Sequence, residues 1–311
     1  MKIVEYDDVD PVSVFQVTML ALGFALTPEH AEHIRRTDPR PFPYLAVCAV
    51  EDDVVIGHVG VFRLPVISTE GREDVGGIWA VSTHPEHAGG GVASLLLEEA
   101  HARMQSVGLR FSTLGTDRFR VAHKLYRQHG YVDMQVWATA LARWETAHKP
   151  TRLRARPPDQ EGFEFVEKIF EKVASDYLGF ARRHTPFMRL RDQVSLEHIW
   201  ILWRNNEPAG YGIAHADKDV LNISDLLLQN DIDAPEAVAA IAEEIKTSYV
   251  QVSINRPVDI ASLRRNSYQV AHPNWAAFMV KPLVPEVTIE DARRLFGIGT
   301  DRFLISWLDV T

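Results

Sequence analysis

The sequence predicts a mixed α/β fold arranged as two domains, and three observations predict it. The apolar run Gly77–Val81 leads into three successive glycines, Gly89, Gly90 and Gly91. An amphipathic run, Val92–Met104, follows with Val92, Leu95, Leu96, Ala100 and Met104 near one helical stripe. That is strand, glycine loop, helix. Next, the pattern strand, polar turn, strand with paired glycines over Ala46–Gly60 returns at Ile199–Gly212. Finally, 311 residues suffice for two domains of ordinary size.

Composition narrows the functional classes. An apolar content of 46% and a charged content of 24% belong to a soluble globular chain. No apolar run approaches a membrane span and the N-terminus lacks a signal-peptide pattern, so no membrane partner is expected. A formal charge of −9 argues against nucleic acid as a partner and weakly favours a cationic one, although an acidic surface is often only solvated. The single cysteine, Cys48, lies in the apolar run Tyr44–Val50, which excludes structural disulfides and fits a cytoplasmic setting. The 13 histidines show no metal-ligand spacing, so no metal is expected.

In chain order, Ile3–Tyr6 alternates like an edge strand. Asp10-Pro11 and Thr27-Pro28 each offer a cap followed by proline at the first helical position, starting helices through Leu22 and to about Arg36. The proline-rich Asp38–Pro43 closes them. Tyr44–Val50 and Val54–Leu64 flank the acidic turn Glu51-Asp52-Asp53 as a hairpin, with Gly57 and Gly60 marking a bulge or close backbone approach. A polar loop is expected at Ser68–Asp74, strands at Ile78–Val81, Phe111–Thr116 and Gln135–Arg143, and a short helix stopped by Gly130.

The glycine loop has a physical use as well as a bland reading. Glycines let backbone approach a ligand, and the first N–H groups of a helix are unpaired donors for an anion such as a pyrophosphate. A tight turn would need the same residues. The loop does, however, resemble the acyl-CoA loop of the GCN5-related N-acetyltransferases, in which a strand is followed by glutamine or arginine, two residues, glycine, one residue, then glycine or alanine. Here Thr83-His84-Pro85 ends the strand, and Gly91 and Ala93 fill the last two small positions. Ala88 stands where the basic or amide residue is usual. Val121–Tyr131, VAHKLYRQHGY, resembles the family's second signature through Ala122, Leu125, Tyr126, Gly130 and Tyr131, with Phe119 in place of the usual asparagine.

The resemblance implies two tandem acyl-CoA N-acyltransferase-like domains, each a mostly antiparallel splayed sheet flanked by helices. Acetyl-CoA is the implied co-substrate, held by Val81, Ser82, Thr83, His87, Ala88, Gly89, Gly90, Gly91, Val92, Ala93, Ser94, Thr116 and Tyr126. Tyr126 is the implied general acid for the leaving thiolate; taken by itself, a tyrosine there is usually just packed. Glu73 and Asp74, just before the splayed strand, are the candidates for accepting the amine's proton, ahead of His84 and His87. The implied reaction is direct acetyl transfer to an amine of a small molecule or peptide by a monomer or homodimer. A non-catalytic acyl-CoA-binding or regulatory module is the alternative, and a hydrolase with Cys48 or Ser94 as nucleophile a weaker one.

The second half repeats the order of elements without the chemistry. The expected division is a catalytic domain over 1–148, a basic, proline-rich linker over 149–158 and a degenerate copy over 159–311. Val220–Gln229, Ser248–Ile254 and Arg256–Tyr268 stand where the splayed strand, the next strand and the Tyr126 helix stood. Asn230–Asp233 puts acids where glycines and donors would be needed, and Leu263 replaces Tyr126. Coincidental αβ elements are the alternative. Thr288–Leu295 reads as a capped helix and Phe303–Leu308 as a final strand.

Overall fold

The computed structural model describes residues 1–37, 44–147, 150–158, 162–179 and 187–310. The expected Asp38–Pro43 segment therefore lies outside the described residues. The first half runs β1 (Lys2–Glu5), α1 (Pro11–Leu22), α2 (Pro28–Thr37), β2 (Tyr44–Glu51), β3 (Val54–Ser68), β4 (Gly71–Thr83), α3 (Val92–Ser106), β5 (Phe111–Asp117), α4 (Val121–Gln128), β6 (Val132–Val136) and β7 (Ala138–Arg143). Next come α5 (Trp144–Ala147), β8 (Arg154–Arg156), α6 (Gly162–Ala174), β9 (Leu178–Gly179), α7 (Met188–Gln193), β10 (Ile199–Arg204) and β11 (Glu207–Asp217). The chain closes with β12 (Val220–Leu228), α8 (Ala234–Ile245), β13 (Tyr249–Ile254), α9 (Pro257–Arg265), β14 (Gln269–Ala271), β15 (Ala276–Pro282), α10 (Ile289–Phe296) and β16 (Phe303–Leu304).

Local chemistry sets these boundaries. The Asp10 carboxylate accepts from the Val12 N–H at 3.0 Å, Pro11 opens α1, and Gly23 ends it at φ +66°. Thr288 and Asp291 form a reciprocal capping box on α10. The hairpin β2–β3 turns through Asp52 and Asp53, and β10–β11 through Asn205 and Asn206, all at positive φ. Two left-handed residues make the tight turn whose twist matches its strands.

Two mostly antiparallel sheets result. The main path of the first is β1-β2-β3-β4-β5-β15-β6, and the second is β14-β7-β13-β12-β11-β10-β8. Read from opposite ends the orders correspond, and each contains one internal parallel pair, β4 with β5 and β12 with β13. One face of the first sheet packs on α3 and α4 through Val59, Leu96, Leu97, Tyr126 and Met279. The other carries α1, α2 and α10, with Val14, Val17, Phe62, Phe278 and Phe296 in one cluster that extends to Val310.

The halves exchange a strand. Gln135–Arg143, expected as one closing strand, divides at Trp137: β6 stays in the first sheet while β7 lies between β13 and β14 of the second. In return, β15 lies between β5 and β6. Gln135–Arg143 reads as a strand, but a strand-like stretch carries no information about which sheet it will join, since either partner offers the same ladder. The strand at Ala276–Pro282 was not expected. Three other expectations change. The Ser68–Asp74 loop is the tip of the long β3–β4 hairpin, with Ser68 paired to Gly71. The linker contains β8, paired to β10. Phe303–Leu308 is strand only at Phe303–Leu304, because Ser306 caps a short helical turn through Asp309.

Candidate active site

The site is built where β4 and β5 part. Parallel pairing holds at Gly76–Ser112 and Gly77–Thr113, whereas β4 runs on to Thr83 and β5 to Asp117. Six further residues of β4 therefore line a splay roughly 20 Å long at about 3.3 Å per residue. Within it, β4 bulges. His58 pairs with Ser82 and Gly60 with Trp79, so one residue of β3 faces two of β4. Ala80 takes up the extra length at φ +49°, a left-handed conformation that alanine rarely adopts.

Two glycines of β3 allow the close packing around this strand. A Cβ on Gly60 would lie 2.3 Å from the Trp79 indole nitrogen, so only glycine lets that ring lie across the backbone. A Cβ on Gly57 would meet Val92 Cγ1 at 2.6 Å and Leu96 Cδ1 at 3.0 Å. Glycine there brings the first turn of α3 down onto the sheet, which aims that helix end at the mouth of the splay.

The glycine loop follows directly. His84 Nδ1 accepts from the Glu86 N–H at 3.3 Å and caps a single turn over Pro85–His87. Gly89 and Gly91 then stand at φ +79° and +82°, with open space where a Cβ would point. Gly91 is the N-cap of α3 and supplies no side-chain acceptor, so that cap leaves the first-turn N–H groups of Val92, Ala93 and Ser94 without side-chain cover. Ala88 and the three glycines are exposed, and His87 Nδ1 lies 3.7 Å from Glu51. The expected loop residues are thus together at one helix end, with a positive dipole and a backbone that can be approached.

Tyr126 lies on α4, buried in the cluster that contains Val92 and Leu96, its ring edge-on to Tyr131 at 5.9 Å. Burial pushes its hydroxyl well above the ordinary range, so it stays protonated throughout neutral pH. Thr116, buried on β5, is flanked by Ala277 of the exchanged strand. Beneath them runs a buried polar chain: Ser112 Oγ to Tyr131 Oη at 2.6 Å, Tyr131 Oη to His101 Nε2 at 2.8 Å, and His101 Nδ1 to Lys281 Nζ at 3.0 Å. Burial, with Lys281 and His129 nearby, holds His101 down to about 3.

Glu73 and Asp74 are not brought to the splay, which corrects the expectation that one serves as base. They sit near the opposite end of β4, eight and seven residues before Val81. Glu73 is gripped by Arg110 at 2.5 and 2.8 Å, and Asp74 by Arg63 at 2.8 Å and Arg72 at 3.3 Å. Cys48 is fully buried and its thiol is pushed up to about 12, which removes it as a nucleophile. His58, Trp79 and Lys281 were missed. A histidine within the VVIGHVG run was the available signal for the first; Lys281 reaches the first sheet only through the strand exchange.

The corresponding splay of the second sheet is filled by its own chain. Here β12 pairs with β13 over Val220–Ile223 and continues to Leu228. Tyr177 Oη donates to the Leu228 carbonyl at 2.9 Å and is itself held by Arg256 at 2.6 Å. Ser306 Oγ bonds Asp225 at 2.5 Å, and Asn255 Nδ2 donates to the Ile305 carbonyl at 2.7 Å. Ahead of α8, Asp231 is bound by Arg204 at 2.6 Å, and Leu263 is fully buried.

A splayed sheet with a bulged strand, a glycine-capped helix at its mouth and a buried tyrosine on its wall defines an acyltransferase fold of the GCN5-related type. Residues 13–131 match the model of the acetyltransferase (GNAT) family, and the chain carries a GNAT domain there. Solved structures extend the likeness of fold to both sheets. A probable N-acyltransferase from Enterococcus faecalis V583 superposes with a TM-score of 0.67 at 16% identity, over 91% of this chain and 71% of that one. A GCN5-related N-acetyltransferase from Anabaena variabilis ATCC 29413 gives 0.65 at 16% identity, over 91% and 73%. Eis1 from Mycobacterium abscessus gives 0.61 at 14% identity, over 91% and 74%. No curated protein matches the chain. Among the described residues, no helix is long and apolar enough to cross a membrane, and no group of three or more His, Cys, Asp or Glu side chains could hold a metal ion.

Proposed function

We propose that the protein transfers the acetyl group of acetyl-CoA directly to an amine of a small molecule or peptide. The observation that carries this reading is the parting of β4 from β5 beyond Gly77–Thr113, with the uncapped N-terminus of α3 at its mouth. The N–H groups of Gly89–Ser94 would hold the pyrophosphate. Val81–Thr83 would pair with the pantetheine amides as an added strand. Attack of the amine nitrogen on the thioester carbonyl breaks the carbon–sulfur bond, and Tyr126 gives its proton to the departing thiolate. An N–H of the bulged strand stabilises the oxyanion. With Glu73 and Asp74 held in ion pairs elsewhere, the amine's proton leaves through water.

The same reading takes residues 159–311 as a degenerate copy that binds no second cofactor and walls the acceptor side of the 1–148 domain. Support comes from the filled second splay and from the packing of Phe303, Ile305 and Val310 onto the face of the first sheet that carries α1 and α2. A cytoplasmic setting rests on the single buried cysteine. The rival, a non-catalytic acyl-CoA-binding module, is favoured by exposed Ala88 and Phe119 at positions where polar contacts to the cofactor are usual. A panel of amines with acetyl-CoA separates the two: the transferase releases free thiol in step with an acetylated amine, and the binding module releases none.

A further inference from the structure

Resting on the acetyl-transfer reading, and going beyond its assigned residues, we propose that His58 is a positioning residue. It would fix and polarise the peptide between Ala80 and Val81, so that the Val81 N–H is presented to the thioester oxygen.

His58 lies in the middle of β3 with none of its surface exposed. Its ring stands edge-on to Tyr6 at 6.3 Å and to Trp79 at 6.2 Å, on the face that carries α1 and α2. Nδ1 is 3.1 Å from the Ala80 carbonyl oxygen. A carbonyl only accepts, so Nδ1 carries the hydrogen and Nε2 is a bare acceptor. Nε2 is buried and no described residue donates to it. Burial lowers the ring to about 4, which keeps this one tautomer neutral across the physiological range. A leucine would fill the same space without leaving an orphaned nitrogen. What the histidine adds is one donated hydrogen bond, and it is spent on the bulge.

The Ala80 carbonyl takes a second donor, Ser82 Oγ, at 3.0 Å. Two side chains thus converge on the oxygen of the one non-glycine residue of β4 held at positive φ. A trans peptide sets its N–H opposite its C=O. Because the Ala80 C=O is drawn toward His58, the Val81 N–H points the other way, away from the His58 ring. Hydrogen bonds accepted by a peptide oxygen also polarise its N–H and strengthen it as a donor. The chain of effects runs from His58 and Ser82, through one peptide, to the place where negative charge develops.

The test compares full-length wild type, His58→Leu and His58→Asn. Asparagine keeps an N–H close to the place of the imidazole Nδ1. Kinetics are measured on an amine that turns over in the wild type, and the 15N-resolved amide shift of Val81 is followed in parallel. Removing a whole oxyanion donor costs about 10²–10³ in kcat; weakening one should cost about tenfold. His58→Leu is therefore expected to lose about tenfold in kcat with the acetyl-CoA KM within about threefold, and to move the Val81 amide upfield. His58→Asn should recover both. A folded His58→Leu with unchanged kcat and unchanged Val81 shift overturns the proposal, as does a His58→Asn no better than the leucine. If His58→Leu does not fold, Ser82→Ala decides: it should move the Val81 amide in the same direction, and an unmoved amide overturns the coupling. Wild type that releases thiol with no amine retires the acetyl-transfer reading instead, while the amide shift still decides whether His58 governs this peptide.

Discussion

The backbone N–H of Asn274 donates to the carbonyl oxygen of Trp137 at 2.7 Å, at the point where two strands change sheets. The Trp137 N–H in turn donates to Ala276 at 3.1 Å. The Asn274 side chain completes the crossing, donating to Thr139 Oγ1 at 3.1 Å and accepting from the Ala276 N–H at 2.8 Å. The Trp137 ring packs edge-on to Trp307 at 5.6 Å. Neither sheet is complete without the other half of the chain.

Truncation tests that interdependence. Residues 1–148 lack β15, which leaves β5 and β6 without their shared partner and β7 without a sheet. The fragment is expected to be insoluble or to lack a cooperative unfolding transition by circular dichroism. A soluble, monomeric fragment as active as the full chain would mean that the exchange is dispensable.

Asn274→Ala removes both side-chain bonds at the crossing and leaves buried partners unpaired. The cost should be about 1–3 kcal/mol, a fall in Tm of several degrees. Differential scanning calorimetry showing no change would place the energy of the crossing elsewhere.

Tyr126→Phe keeps the ring and deletes the proton donor. A fall in kcat of about 10²–10⁴-fold is expected, with acetyl-CoA affinity little changed. A loss below about threefold would leave Tyr126 a packing residue and return weight to the binding-module reading.

Two buried histidines set an acid limit. His58 is lowered to about 4 and His101 to about 3, against an ordinary value of about 6.5. The unfolded chain then binds protons that the folded chain refuses, so stability falls as pH drops below about 6.5 toward the folded values. At pH 5 each histidine should cost about 2 kcal/mol relative to pH 8. Urea midpoints measured from pH 8 to 5 should decline, and His101→Gln should flatten the slope. Parallel slopes for wild type and variant would contradict this account.

Much of the site was legible because glycine and helix-start signals are local. Gly89–Gly91 and the stripe from Val92 to Met104 state their own geometry, and Gly130 ends α4 at φ +86° as its position implied. Ser267, which stands in the second half where Gly130 stands in the first, likewise adopts a positive φ, +66°. The strand exchange was not legible, since Gln135–Arg143 contains no glycine, proline, asparagine or aspartate to mark the division at Trp137, and only tertiary pairing assigns its two parts. Glu73 and Asp74 misled for a related reason. Proximity in sequence to Val81 is distance along an extended strand, and eight residues carry a side chain about 26 Å away.

The most direct measurement is calorimetric titration of acetyl-CoA into the intact protein and into Gly91→Glu, which sets a side chain and a negative charge against the pyrophosphate. One site per chain is predicted for the wild type, and none for the folded variant. Two equal sites per chain, or unchanged affinity in Gly91→Glu, would contradict the assignment of the cofactor to the splay between β4 and β5.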